Sequence, residues 1–255
     1  PRRSKAGILL PIETSNYVSL TFSDFKTVWK FISYFFKDVT EIPEYMKSAE
    51  EKIAMLTDMT LQEWLFSWID QEIGVGMLQD INDPFIVIRC SDTQKALKNF
   101  EILNIRTISV RPDTFEYKGY KVNQIALPPG MLSIVRLFVP ELRLPYFFVI
   151  EDYLVVTQSR RVVNEIIDAY STKKVLRYDE VYKKLVANTD YEGNLSVYWD
   201  LKRESFGILE ERNLMSKMFR QYGRGLISIS FEENAISQRL SIEGRDVKTF
   251  AMLSP

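Results

Sequence analysis

The chain has 255 residues, long enough to bury a real core as one large domain or two small ones, and its 33 Lys+Arg against 34 Asp+Glu leave a net charge of −1. That balance removes any electrostatic ground for a nucleic acid or an anionic bilayer as partner. Histidine is absent and cysteine occurs once, so serine triads, Cys-His dyads, histidine zinc sites and intrachain disulfides are excluded.

The chain opens on Pro1-Arg2-Arg3, and the expectation is an upstream signal peptide or membrane anchor that precedes it. The first patterned stretch, 17–36, predicts a strand, then Ser23, then a helix with Phe25, Val28, Trp29, Ile32, Phe35 and Phe36 on one stripe. Thr60 and Glu63 form a capping box in front of a helix predicted over 60–70, whose apolar face is Leu61, Trp64, Leu65, Trp68 and Ile69. Residues 72–79 read as a strand feeding a turn at 80–84, and 85–90 as the next strand. There Cys90 alternates with Ile86 and Ile88, which predicts a buried, inert thiol. Ser91 then opens a second helix.

Residues 114–127 predict a hairpin turning at Lys118-Gly119, with tyrosines facing each other across the strands. The segment 128–145 carries four prolines and reads as an irregular flap. A hairpin follows over 146–157, and Ser159 leads into a helix with Val162, Val163, Ile166, Ile167 and Tyr170 on one face. Asp179 is expected to cap a short helix over 179–187. Residues 194–201 read as a strand, and 226–244 as a hairpin of two alternating strands.

Ser23, Ser91 and Ser159 each stand between a strand and a helix, 68 residues apart (91 minus 23, and 159 minus 91). Serine suits that place because its hydroxyl accepts a free N–H of the first helical turn. Ser159 lacks the G-x-S-x-G surroundings of a hydrolase elbow, and no histidine exists to activate it, so it reads as a cap rather than a nucleophile. The fold class expected is therefore α+β: a largely antiparallel twisted sheet with amphipathic helices on one face, built from repeated strand-cap-helix units. Two organisations stay open, a single domain over 1–255 or two pseudo-repeated halves (8–127 and 146–250) joined by the flap.

Chemistry is sparse. The carboxylate pairs Glu50-Glu51, Glu151-Asp152, Glu210-Glu211 and Glu232-Glu233 fall at turns or polar helix faces. The glycines at 74 and 76 and at 223 and 225 are followed by strand-like residues, which does not suit a phosphate loop. No metal site and no cofactor is expected, and the chain is read as no enzyme. The aromatic fraction of 13% belongs chiefly to core packing. The flap supplies the candidate contact residues: Met131, Leu132, Ile134, Val135, Leu137 and Phe138.

The order of the segments 9–32, 60–78, 84–100, 115–127, 145–170 and 194–201, with Glu72 and Gly74 in an E-x-G segment, resembles a bacterial family known only as a domain of unknown function. The resemblance implies an exported or membrane-anchored domain outside the cytoplasm, in the periplasm of a cell envelope, and supplies no catalytic residues. The functional expectation is a non-enzymatic binding or scaffold domain acting through protein partners or self-association. The alternative is a carrier or chaperone-like domain for a hydrophobic ligand or lipid; a carboxylate hydrolase comes third. Contact with a membrane is expected only through the upstream anchor.

Overall fold

The computed structural model describes residues 4–26, 28–30, 42–107, 113–125, 127, 132–133, 136, 145–189, 194–203, 223–232, 235–243 and 245–253. The chain is α+β, with strands β1 (Thr14–Thr21), β2 (Ile69–Leu78), β3 (Ile81–Cys90), β4 (Thr114–Tyr117), β5 (Tyr120–Gln124), β6 (Tyr146–Ile150) and β7 (Tyr153–Thr157). Four more follow: β8 (Leu195–Asp200), β9 (Arg224–Glu232), β10 (Ala235–Ile242) and β11 (Arg245–Leu253). The α-helices are α1 (Ile42–Thr57), α2 (Leu61–Phe66), α3 (Thr93–Thr107), α4 (Arg160–Ser171) and α5 (Glu180–Thr189). The strand order is β11-β10-β9-β8-β1-β2-β3-β7-β6-β5-β4, and the pairings among described residues are antiparallel. The chain divides into two compact units, residues 1–23, 72–87 and 161–255 in the first, 24–71 and 88–160 in the second.

In the second unit the local signals act as expected at most joints. Thr60 accepts the N–H of Glu63 while the Glu63 carboxylate accepts the Thr60 N–H, a complete capping box. Those hydrogen bonds hold the Glu63 carboxyl below its ordinary range. The helix it starts is shorter than its apolar pattern suggests: α2 stops at Phe66, and β2 begins at Ile69. The cause is visible at Trp68, whose carbonyl accepts the N–H of Ser91 at 2.9 Å, so the backbone is already committed to sheet pairing. Trp68 is buried all the same, edge-on to Trp64 and Phe100 at ring distances of 5.7 and 5.5 Å, with Phe147 5.2 Å from Phe100. Ala96, Phe100 and Leu103 form the buried stripe of α3, at the i, i+4, i+7 spacing of one helix face.

The hairpin turns are where the sequence places them. Lys118 (φ 49) and Gly119 (φ 83) close β4-β5 with Tyr117 opposite Tyr120. Positive φ at both central residues is the backbone that matches strand twist, and it is why glycine stands there. Glu151 (φ 53) closes β6-β7. One turn falls elsewhere: β2 and β3 are joined at Gln79-Asp80, with Asp80 at φ 57, and 81–84 lie inside β3.

The three serines are not equivalent. At the first joint Asp24 accepts the Lys26 N–H, and at the second Asp92 accepts the Lys95 N–H; Ser23 and Ser91 each stand one residue before the cap. Ser91 instead donates its hydroxyl to the Trp68 carbonyl. At the third, Ser159 directly precedes α4, and the position equivalent to the two aspartates holds Arg160.

In the first unit, α4 buries Val162, Val163, Ile166, Ile167 and Ala169. Asp179 caps α5 by accepting the Tyr182 N–H at 2.8 Å, and α5 packs on β9 and β10. The terminal hairpin β9-β10 has Glu232 opposite Ala235, and β11 extends it by a strand the sequence pattern did not reveal.

Candidate contact surface

The strands of the first unit are amphipathic in an inverted sense. Side chains alternate faces along a strand, and in β1 the buried set is Tyr17, Ser19 and Thr21, whereas Val18 is 41% exposed and Leu20 half-buried. The register carries this alternation across the sheet. Ser19 lies opposite Gly74 and Ser196, and Ser196 opposite Ser228; Tyr17 lies opposite Gly76 and Tyr198, and Tyr198 opposite Leu226. This inward face is rich in hydroxyls and glycine.

The outward face is aliphatic. One row runs Val75, Val18, Val197, Ile227, Leu240, and the next runs Ile73, Leu20, Leu195, Ile229, Gln238. Five adjacent strands at ordinary spacing give a row about 19 Å long. Every member of both rows is at least partly exposed, and Phe231 (54% exposed) opposite Ile236 (36%) continues the surface toward the β9-β10 turn. From β2 to β10 neither row contains a charged residue; in β11 Lys248 stands opposite Leu240 and Phe250 opposite Gln238.

What fixes the inward face is polar chemistry and small residues. Glu72 is 2% exposed and accepts hydrogen bonds from the Lys5 N–H (2.9 Å), the Tyr17 hydroxyl (3.3 Å) and the Ser4 hydroxyl. The Tyr17 ring lies across Gly74 and Gly76: a Cβ on Gly74 would meet the Tyr17 Oη at 2.1 Å, and one on Gly76 would meet Phe85 Cζ at 2.5 Å. The glycines therefore serve close packing of rings on the strand. At the end of the same face Arg224 donates to Asp179 at 2.7 Å and lies 3.5 Å from Asp200, which also pairs with Arg203 at 3.2 Å. Burial, the largest single influence on Asp179, pushes its carboxyl up; Arg224 and the α5 N–H groups together outweigh it and hold the pKa below the ordinary value.

Between α5 and the inward face lies a cavity of about 30 Å³ lined by Ser4, Tyr17, Ser19, Tyr182, Thr189, Ser196, Tyr198 and Ser228, with Val186 and Leu226. In the second unit a separate open groove of about 630 Å³ runs past Lys26, Trp29, Lys30, Gln62, Glu63 and Phe66. Neither is an enclosed apolar cavity.

Of the residues singled out in the flap, Leu132 is helical and half-buried; Met131, Ile134, Val135, Leu137 and Phe138 lie outside the described residues. Cys90 is buried, and burial first of all pushes its thiol up to about 12. The core face of β3 is Phe85 and Val87, with Ile86 and Ile88 half-buried, so Cys90 is covered at the strand end rather than by membership of an Ile86-Ile88 core row.

The acidic pairs are dispersed. Glu50 accepts the Leu61 N–H, Asp152 pairs with Arg89 at 2.7 Å in the β6-β7 turn, and Glu210, Glu211 and Glu233 lie outside the described residues. Among the described residues no cluster of three metal-ligating side chains occurs, and no helix is long and apolar enough to cross a membrane.

The aliphatic rows escaped the sequence reading, although the signal exists: 17–21 alternates Tyr, Ser and Thr with Val and Leu. A family model described as a protein of unknown function, DUF3352, matches residues 83–236, more than half of the chain. No curated protein matches the sequence. Among solved structures the chain is similar to crystal form I of TP0453, at 7% identity and a TM-score of 0.38, over 96% of this chain and 81% of that one. Crystal form III of TP0453 is similar at 8% identity and a TM-score of 0.41, over 94% and 80%.

Proposed function

The chain belongs to DUF3352, a family of proteins of unknown function, and on that premise we propose that it is a non-enzymatic scaffold domain that self-associates through the aliphatic outward face of β2, β1, β8, β9 and β10. The observation that carries this reading is the inversion itself. A sheet that turns Ser19, Ser196 and Ser228 inward while leaving Val18, Val75, Val197, Ile227 and Leu240 at least partly exposed keeps apolar area in water at a standing cost of about 25 cal/mol per Å². Contiguous apolar surface of this kind marks an interaction site.

The occupant that fits is a second copy. β-branched rows pack face to face with like rows, about 10 Å apart, as two sheets do in a sandwich. From β2 to β10 the two rows carry no charge for a charged partner to read, and a net charge of −1 sets up little repulsion between copies. An enclosed apolar cavity would have supported a lipid carrier, and neither of the two cavities above is one. We place the domain in the cell envelope. Its single cysteine, buried and with a thiol pushed up to about 12, suits an oxidising compartment because it offers no exposed thiolate.

The test is the double substitution Val18→Lys, Phe231→Lys. Both side chains are well exposed, so melting stays within the range of ordinary surface changes, about 0.5 kcal/mol. Sedimentation velocity over a concentration series should show the unsubstituted chain associating and the variant monomeric. Identical sedimentation of the two, or an unfolded variant, overturns the proposal.

A further inference from the structure

We infer that the hydroxyl-lined cavity between α5 and the β1-β8-β9 face is a built hydration site holding about two ordered water molecules. Three side chains that line it, Ser19, Tyr198 and Ser228, are 0%, 2% and 3% exposed, and their hydroxyl oxygens have no hydrogen-bond partner among the described residues. A buried hydroxyl without a partner costs about 1–3 kcal/mol, so three around one cavity point to a shared ligand that both donates and accepts. Water meets that need, and the cavity has room: about 30 Å³ against the ~10–15 Å³ that one water needs on the same measure.

The register explains why the three converge. Ser19 and Ser228 flank Ser196 in one row, and Tyr198 stands in the adjoining row of the same face, two residues along β8. The opposite wall is α5, where Thr189 shares its one hydroxyl proton between the Leu185 and Val186 carbonyls, at 3.1 and 3.0 Å, so that toward the cavity its oxygen can act only as an acceptor. Ser4 and Tyr17 also line the cavity, and both donate their hydroxyl protons to Glu72. Burial pushes the Tyr198 phenol above its ordinary value, so it stays a neutral donor through the working pH range. The water then joins sheet donors to helix acceptors and serves as the hydrogen-bonded layer between α5 and a sheet face that has few apolar side chains to offer it.

Oxygen-17 magnetic relaxation dispersion counts long-lived internal waters in the intact chain, and the Ser19→Ala, Tyr198→Phe double variant removes two of the hydroxyls with little change in shape. The expected result is a dispersion amplitude lower by about two waters in the variant, at unchanged far-ultraviolet circular dichroism. Equal amplitudes overturn the inference. Tyr198→Phe alone supplies an independent readout. Removing a partner of bound water lowers the melting temperature, whereas removing an unsatisfied hydroxyl from a dry cavity raises it, and a raised value contradicts the site.

Discussion

Gly74→Ala tests the packing of the inward face at its tightest point. The added methyl would sit 2.1 Å from the Tyr17 Oη and 2.3 Å from its Cζ, far inside van der Waals contact. The ring cannot slide freely, because its hydroxyl is bonded to Glu72 at 3.3 Å and its Cδ2 lies over Gly76. Overpacking of this kind costs about 1–3 kcal/mol. Displacing the phenol also strips a hydrogen bond from a carboxylate that is 2% exposed, a further ~1–3 kcal/mol. Against these, alanine reduces the entropy of the unfolded chain and returns ~0.4–1 kcal/mol. The net expectation is a destabilisation of about 2–4 kcal/mol, read as a lower urea midpoint at unchanged slope. The same substitution made on a Tyr17→Ala background should cost nothing or stabilise, since the clashing ring is gone. Equal cost in both backgrounds would refute the reasoning, because the cycle isolates the Gly74–Tyr17 contact.

Cys90 should resist maleimide labelling in the native chain and react fully after denaturation, since burial both hides the thiol and pushes it up to about 12; rapid native labelling at neutral pH would count against its placement. Asp179, held below its ordinary value, contributes stability that is fully present above about 3.8, the value expected when unfolded, and is lost as pH falls through the lower folded value. Asp179→Asn should therefore lower stability at neutral pH and flatten the acid limb of a pH-dependent melting series; an unchanged acid limb would mean that the Arg224 pair does not act in folding.

Much of the local structure was legible because it rests on short-range chemistry. Lys118-Gly119 and Glu151-Asp152 are turns whose backbone requirements are written in the residues themselves, and Thr60, Glu63 and Asp179 satisfy helix N–H groups within three residues. Signals that depend on distant partners were harder to read. The end of α2 is decided by Ser91, 23 residues beyond the Trp68 carbonyl it pairs with. The caps at the first two joints are Asp24 and Asp92, which compete with adjacent serines for the same N–H groups. The outward face was missed for a related reason. Alternation in β1 separates Val18 and Leu20 from Tyr17 and Ser19, but which set turns inward depends on α5, on Glu72 and on the glycines of β2, and none of these is local.

The central claim, that two copies meet through the aliphatic face, is most directly tested by Val18→Cys with a short bismaleimide at native concentration. Cys90 does not compete, being buried. Val18 lies one strand, about 5 Å, from Val197 at the centre of its five-residue row, so two-fold packing of the rows about that centre keeps residue 18 of one copy near residue 18 of the other. The account predicts a covalent dimer that forms in the otherwise unsubstituted chain and disappears when Phe231→Lys and Val197→Lys are added. Ready labelling of the introduced thiol with only monomer recovered would contradict it.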